Sequence, residues 1–125
     1  MSIVIGLTGR TTVEVTQDDT AATLRSGDVP VLATPRLVGL CEEACVQAIS
    51  GELPPGLTTV GMRVQFDHLA PTGIGRSVTA EATLEKVEGR RLTFTVAAND
   101  AGGLVGAGKL TRVVVEVEPF LKKAH

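Results

Sequence analysis

Thr34-Pro-Arg-Leu-Val-Gly-Leu-Cys-Glu-Glu-Ala-Cys-Val-Gln-Ala-Ile49 is the one stretch long enough for a full helix, and the strand patterns of the chain are arranged around it. Thr34 is a residue type that caps first-turn amides, Pro35 suits the first helical position with its fixed φ, and Ser50-Gly51 ends the pattern. Arg36, Glu43, Gln47 and Ser50 follow one another at spacings of seven, four and three and form a solvent stripe. Glu42 sits about 100° round from that stripe. Its neighbours are Val38 one turn below and Cys45, Val46 and Ile49 above, so its side chain is expected in apolar surroundings. A carboxylate placed there either loses its charge or is held charged by donors, and both are habits of active sites. A structural ion pair or a carboxylate reaching to a rim would place it there equally well.

The flanking segments read as strands. Ile3, Ile5, Leu7, Val13 and Val15 alternate with small or polar residues, which predicts a strand over about residues 3–16 broken near Gly6 or Gly9. Asp18, Asp19 and Thr20 precede Ala21-Ala-Thr-Leu-Arg25, a short helical turn before the Gly27-Asp28-Val29-Pro30 loop. Leu53-Pro-Pro-Gly56 stops the long helix. Met62, Val64 and Phe66 then alternate with Arg63, Gln65 and Asp67, and continuing that period puts His68 on the apolar side. Val78 to Leu84, Leu92 to Ala98, and Leu104 to Val117 supply three more strands, with Glu88-Gly-Arg90 and Asn99-Asp-Ala-Gly-Gly103 as turns. Gly106 and Gly108 in the last strand predict a bulge or a close neighbour.

One strand, one helix and four strands joined by short turns predict an α+β chain in which an antiparallel sheet of about five strands wraps one long central helix, the hotdog arrangement, as one domain over residues 1–125. Such a sheet leaves an apolar face and an open edge, which predicts a homodimer, with a tetramer also open. The net charge of −2, with 12 Lys and Arg against 14 Asp and Glu and three Phe as the only aromatics besides His, argues against nucleic acid as a partner. No apolar run reaches the roughly 18 residues of a membrane span and no signal segment is evident, so a cytoplasmic protein without a membrane partner is expected. Cys41 and Cys45 lack the spacing and companions of a zinc site and read as reduced core residues, so no metal is expected.

Thr34, Glu42 and His68 are the polar groups that could act together. A carboxylate able to attack or to activate water, a histidine to carry a proton, and amides at a helix start to receive an oxyanion suit acyl transfer. Singly, each has a bland role as a cap, a surface carboxylate or a core histidine.

The helix carries T-x-x-x-V-G-L-x-E-x-A-C-V-x-A, which resembles the fluoroacetyl-CoA thioesterase-like branch of the hotdog thioesterases. The resemblance resumes from Gly61 to His68-Leu-Ala-Pro-Thr72, at Val87-Glu-Gly-Arg-Arg-Leu92 and at Gly106-Ala-Gly-Lys-Leu-Thr-Arg112. It implies hydrolysis of a small acyl-CoA thioester to acid and coenzyme A, with coenzyme A as part of the substrate and no separate cofactor. Glu42 would be nucleophile or general base, His68 the proton carrier and Thr34 the hydroxyl that orients the carboxylate or the thioester. Gly61 and Arg112 would flank the acyl group, and the site would lie at a dimer interface. The family's fluoroacetyl-specific members carry phenylalanines in a lid before the helix, and residues 22–29 contain none, so the acyl group is left open. A non-hydrolytic acyl-CoA or small-ligand binding protein is the competing reading. Enoyl-CoA hydration ranks third, because Asp67 and His68 are adjacent and should face opposite sides of a strand.

Overall fold

The computed structural model describes residues 3–125. In chain order it contains β1 (Thr8–Glu14), a single 3-10 turn (Gln17–Asp19), α1 (Ala21–Leu24), α2 (Thr34–Ala48), β2 (Leu57–His68), β3 (Ser77–Glu88), β4 (Arg91–Asp100), β5 (Gly103–Glu116) and α3 (Val117–Ala124). The five strands form one sheet in the order β1-β3-β4-β5-β2, and every neighbouring pair is antiparallel. The expected wrap of a sheet around one long helix is therefore present.

Period-two patterning explains the core. Val78, Ala80, Ala82 and Leu84 of β3 and Leu92, Phe94, Val96 and Ala98 of β4 are buried on the face that meets α2. The helix answers with Leu37, Leu40, Cys41, Ala44, Cys45 and Ala48. Small residues let it settle close to β1: a Cβ on Gly9 would run into the backbone of Ala44 and Ala48, so only glycine fits there. Gly108 of β5 lies equally close to the backbone of Gln65 on β2, which identifies the close neighbour expected there.

The first strand begins at Thr8, later than its alternation implied, because Gly6 turns the chain with φ +100°. At the other end, the run expected to finish as a strand at Val117 turns into α3 instead. Pro119 has no N–H for a ladder, and Lys122 and Lys123 complement the carbonyl end of the helix. Among the described residues, no helix is long and apolar enough to cross a membrane.

β2 is an edge strand, and that position corrects its expected burial. Met62 (42% exposed) and Val64 (52%) lie open, while Phe66 and His68 are half-buried. Val46 of α2 is exposed as well (49%), so the apolar alternation of β2 and one side of the helix present an uncovered surface in the single chain.

Candidate active site

Thr34 is the first residue of α2 and not its cap. Ala33 holds the cap position with extended backbone and makes no side-chain capping bond. The Thr34 hydroxyl is therefore free to pair with His68, and its Oγ1 lies 2.8 Å from the histidine Nδ1. The tautomer of the ring decides which of the two atoms donates. The other ring nitrogen, Nε2, is buried and has no hydrogen-bond partner among the described residues.

Backbone ties fix the pair from both sides. The N–H groups of Leu69 and Ala70 both donate to the Val105 carbonyl, at 2.7 and 3.2 Å, anchoring the chain just after His68 to β5. The Leu32 N–H donates to the Thr72 carbonyl at 2.8 Å, and the Thr72 hydroxyl donates to Asp100 Oδ2 at 3.0 Å. Ahead of the helix, Ala33 N–H reaches the Asp19 carbonyl at 2.9 Å. Thr34 and His68 thus line a cleft of about 340 Å³ together with Asp28, Val29, Val31 and Pro71.

Glu42, eight residues up the helix, stands roughly 12 Å along its axis from Thr34. Its side chain is 37% exposed, because the helix turns Cys41 and Cys45 into the core and leaves residue 42 at the rim. The expectation of fully apolar surroundings is corrected accordingly: Val38 is half-buried and Val46 open on that stripe. What holds the carboxylate is Arg112, whose Nη1 donates to Glu42 Oε2 at 2.9 Å. Arg112 is 8% exposed, so it meets the carboxylate as a buried side chain and not as a solvated surface group. Its Nε donates to Thr59 Oγ1 at 3.0 Å and its Nη2 to the Thr59 carbonyl at 2.9 Å.

Gly61 supplies the room. A Cβ there would come 2.7 Å from Glu42 Oε2 and 3.7 Å from Arg112 Nη1. Glu42 and Arg112 line a second cleft of about 440 Å³ with Thr11, Gly39 and Val46, and this cleft shares no lining residue with the one at His68. The five residues singled out in the sequence thus fall into two groups within one chain, Thr34 with His68 and Glu42 with Gly61 and Arg112.

Two supporting residues were not foreseen. Thr59 sits two positions before Gly61 on the same face of β2, a spacing that could have suggested it. Asp19 joins the turn before α1 to the helix through Arg36, whose Nε donates to its Oδ1 at 3.0 Å. Burial pushes the Asp19 carboxyl up, but the Thr16 amide, the Arg36 guanidinium and the Thr16 hydroxyl outweigh it and hold the group below its ordinary value. Burial pushes the Cys41 and Cys45 thiols up to about 12, and the nearby Glu42 charge adds to the shift at both.

The chain matches the model of the fluoroacetyl-CoA-specific thioesterase family over residues 15–118. It is 42% identical over 95 residues to the fluoroacetyl-CoA thioesterase of Streptantibioticus cattleyicolor, covering 76% of this chain and 68% of that one. A solved fluoroacetyl-CoA thioesterase with a threonine-to-serine substitution, in complex with acetyl-CoA, superposes with a TM-score of 0.93 at 33% identity, covering 98% of this chain and 96% of that one. A hot-dog-like protein from Thermanaerovibrio acidaminovorans gives a TM-score of 0.87 at 30% identity, covering 96% and 89%. The chain therefore belongs to the fluoroacetyl-CoA-specific thioesterase family, a thioester-hydrolysing family of the hotdog fold.

Proposed function

We propose that this chain, an acyl-CoA thioesterase by family, hydrolyses a small acyl-CoA with Thr34, Glu42 and His68 at a site completed by a second copy of itself. The observation that carries this reading is the Thr34 to His68 contact of 2.8 Å, set beside a histidine Nε2 that is buried and has no partner among the described residues. A buried, unpaired ring nitrogen is costly unless something meets it. A group to be protonated or a carboxylate from a second copy would do so.

Glu42 is anchored through one oxygen by Arg112, which leaves Oε1 for chemistry. It attacks the thioester carbonyl carbon directly, forming an anhydride that water then cleaves, or it takes a proton from an attacking water. In both routes the C–S bond breaks and coenzyme A leaves as a thiolate, to which His68 delivers a proton. The Thr34 hydroxyl keeps the imidazole oriented. Gly61 lets the acyl group come close to the carboxylate, and Arg112 keeps the carboxylate aimed. Coenzyme A enters only as part of the substrate, and no separate cofactor is needed for these steps.

A homodimer is part of the proposal. One chain keeps Glu42 apart from His68, while β2 offers an open edge flanked by exposed Met62, Val64 and Val46. Joining two β2 edges would cover that surface and complete a ten-stranded sheet of about twice five strands. Work in the cytoplasm, where acyl-CoA pools are held, fits this role.

A thiol-release assay with acetyl-CoA and longer acyl-CoAs tests the proposal. Turnover of at least one short acyl-CoA supports it. Acyl-CoA that raises the melting temperature yet is never consumed would identify a binding protein instead.

A further inference from the structure

We infer that Thr59 is a positioning residue for the reaction, acting through Arg112 on Glu42; the inference rests on Glu42 being the reactive carboxylate. A guanidinium is a rigid planar fork, and the direction of one edge fixes the direction of the other. Thr59 takes one edge completely, with its hydroxyl oxygen accepting from Nε at 3.0 Å and its carbonyl accepting from Nη2 at 2.9 Å. The remaining nitrogen, Nη1, is thereby aimed at Glu42 Oε2, 2.9 Å away. Thr59 and Arg112 are each 8% exposed, so little water competes for these donors.

The arrangement is built into the strand register. Gly61 pairs with Arg112 across β2 and β5, and Thr59 pairs with Val114 two residues on. Thr59 and Gly61 therefore present the same face of β2 to the guanidinium and the carboxylate. Gly61 leaves the space that Glu42 occupies, and Thr59 fixes the arginine that holds it there. A carboxylate restrained at Oε2 keeps Oε1 in one direction, and misplacing a reacting group by about 1 Å can cost about a hundredfold in rate.

The test compares Thr59→Val, which keeps the shape and the carbonyl but loses the hydroxyl acceptor, with Thr59→Ser, which keeps the hydroxyl. The valine variant should lower kcat for acetyl-CoA, or for the best acyl-CoA of the thiol-release screen, by about ten- to a hundredfold with KM little changed. The serine variant should restore most of kcat. In an Arg112→Ala background, adding Thr59→Val should cost little more, because the linkage is already broken. Thr59→Ala serves if the valine variant fails to fold.

Unchanged kcat in a folded valine or alanine variant would overturn the inference, as would a rise in KM alone or a serine variant as poor as valine. Glu42→Gln separates the two levels. A dead glutamine variant beside an active Thr59→Val rejects only the role of Thr59, whereas a fully active glutamine variant rejects the proposed chemistry itself.

Discussion

Thr34 Oγ1 and His68 Nδ1 meet at 2.8 Å although 34 positions separate them, because the hydroxyl stands at the first residue of α2 and not at its cap. A capping threonine would spend its oxygen on a backbone amide. Here it is available to orient an imidazole. Thr34→Ala should therefore lower kcat by about ten- to a hundredfold while shifting stability by less than about 0.5 kcal/mol. Thr34→Ser should retain most activity. A loss of about 1 kcal/mol in the alanine variant with kcat intact would return the residue to a capping role.

The separation of Glu42 from His68 within one chain predicts complementation between defective copies. Glu42→Gln and His68→Ala should each be nearly inactive. Unfolded together and refolded as a mixture, they should recover about a quarter of wild-type activity, since half the dimers are mixed and each holds one intact site. Failure of any activity to return, with mixed dimers confirmed by mass, would place all three groups in one chain.

Acid sensitivity should trace to two carboxylates. Burial raises the Asp100 carboxyl, but the Gly102 amide and the Thr72 hydroxyl lead the groups that hold it below its ordinary value, as Thr16 and Arg36 do for Asp19. A depressed folded-state pKa means that the stabilisation is present above the unfolded value, 3.8 for both groups, and is lost as pH falls through it toward the folded value. Asp19→Asn should cost roughly 1 to 3 kcal/mol at pH 7 and flatten the fall in melting temperature below about pH 4. A melting curve against pH that is as steep as wild type in Asp19→Asn and in Asp100→Asn would contradict this.

Cys41 and Cys45 are fully buried, with thiols pushed up to about 12. Native protein should not react with a disulfide reagent at pH 8, and two thiols per chain should appear on denaturation. Rapid labelling of the native protein would mean that α2 opens far more readily than its packing implies.

Gly9→Ala tests the seat of the helix. Its Cβ would meet helix backbone that cannot rotate away, so a loss of about 1 to 3 kcal/mol or more is expected. Gly61→Ala meets the far end of a flexible carboxylate instead, and should cost activity more than stability. The reverse order of effects would show that α2 and β1 lie farther apart than described.

Local periodicity made the architecture legible. The alternation in β3 and β4 and the extent of α2 to within a residue or so depend on nearest neighbours along the chain, and they stand as expected. The contacts among the candidate site residues were not legible. Arg112 and Glu42 are 70 positions apart, and no local pattern distinguishes an arginine buried against a carboxylate from one in water. Thr34 was misplaced by a single residue at the helix start, where a capping side chain and a free one look identical in sequence. The apolar alternation at Met62 and Val64 was read correctly as alternation, but whether a strand lies at the edge of a sheet is decided by topology. The final helix was hidden by the β-branched run that leads into it.

The most direct measurement is acyl-CoA thiol release by Glu42→Gln beside wild type, with folding verified by melting temperature. The glutamine keeps the size of the side chain and loses the charge that would attack a thioester or activate water. A folded protein whose kcat falls by about a thousandfold or more is expected. A glutamine variant that turns over at the wild-type rate would contradict it.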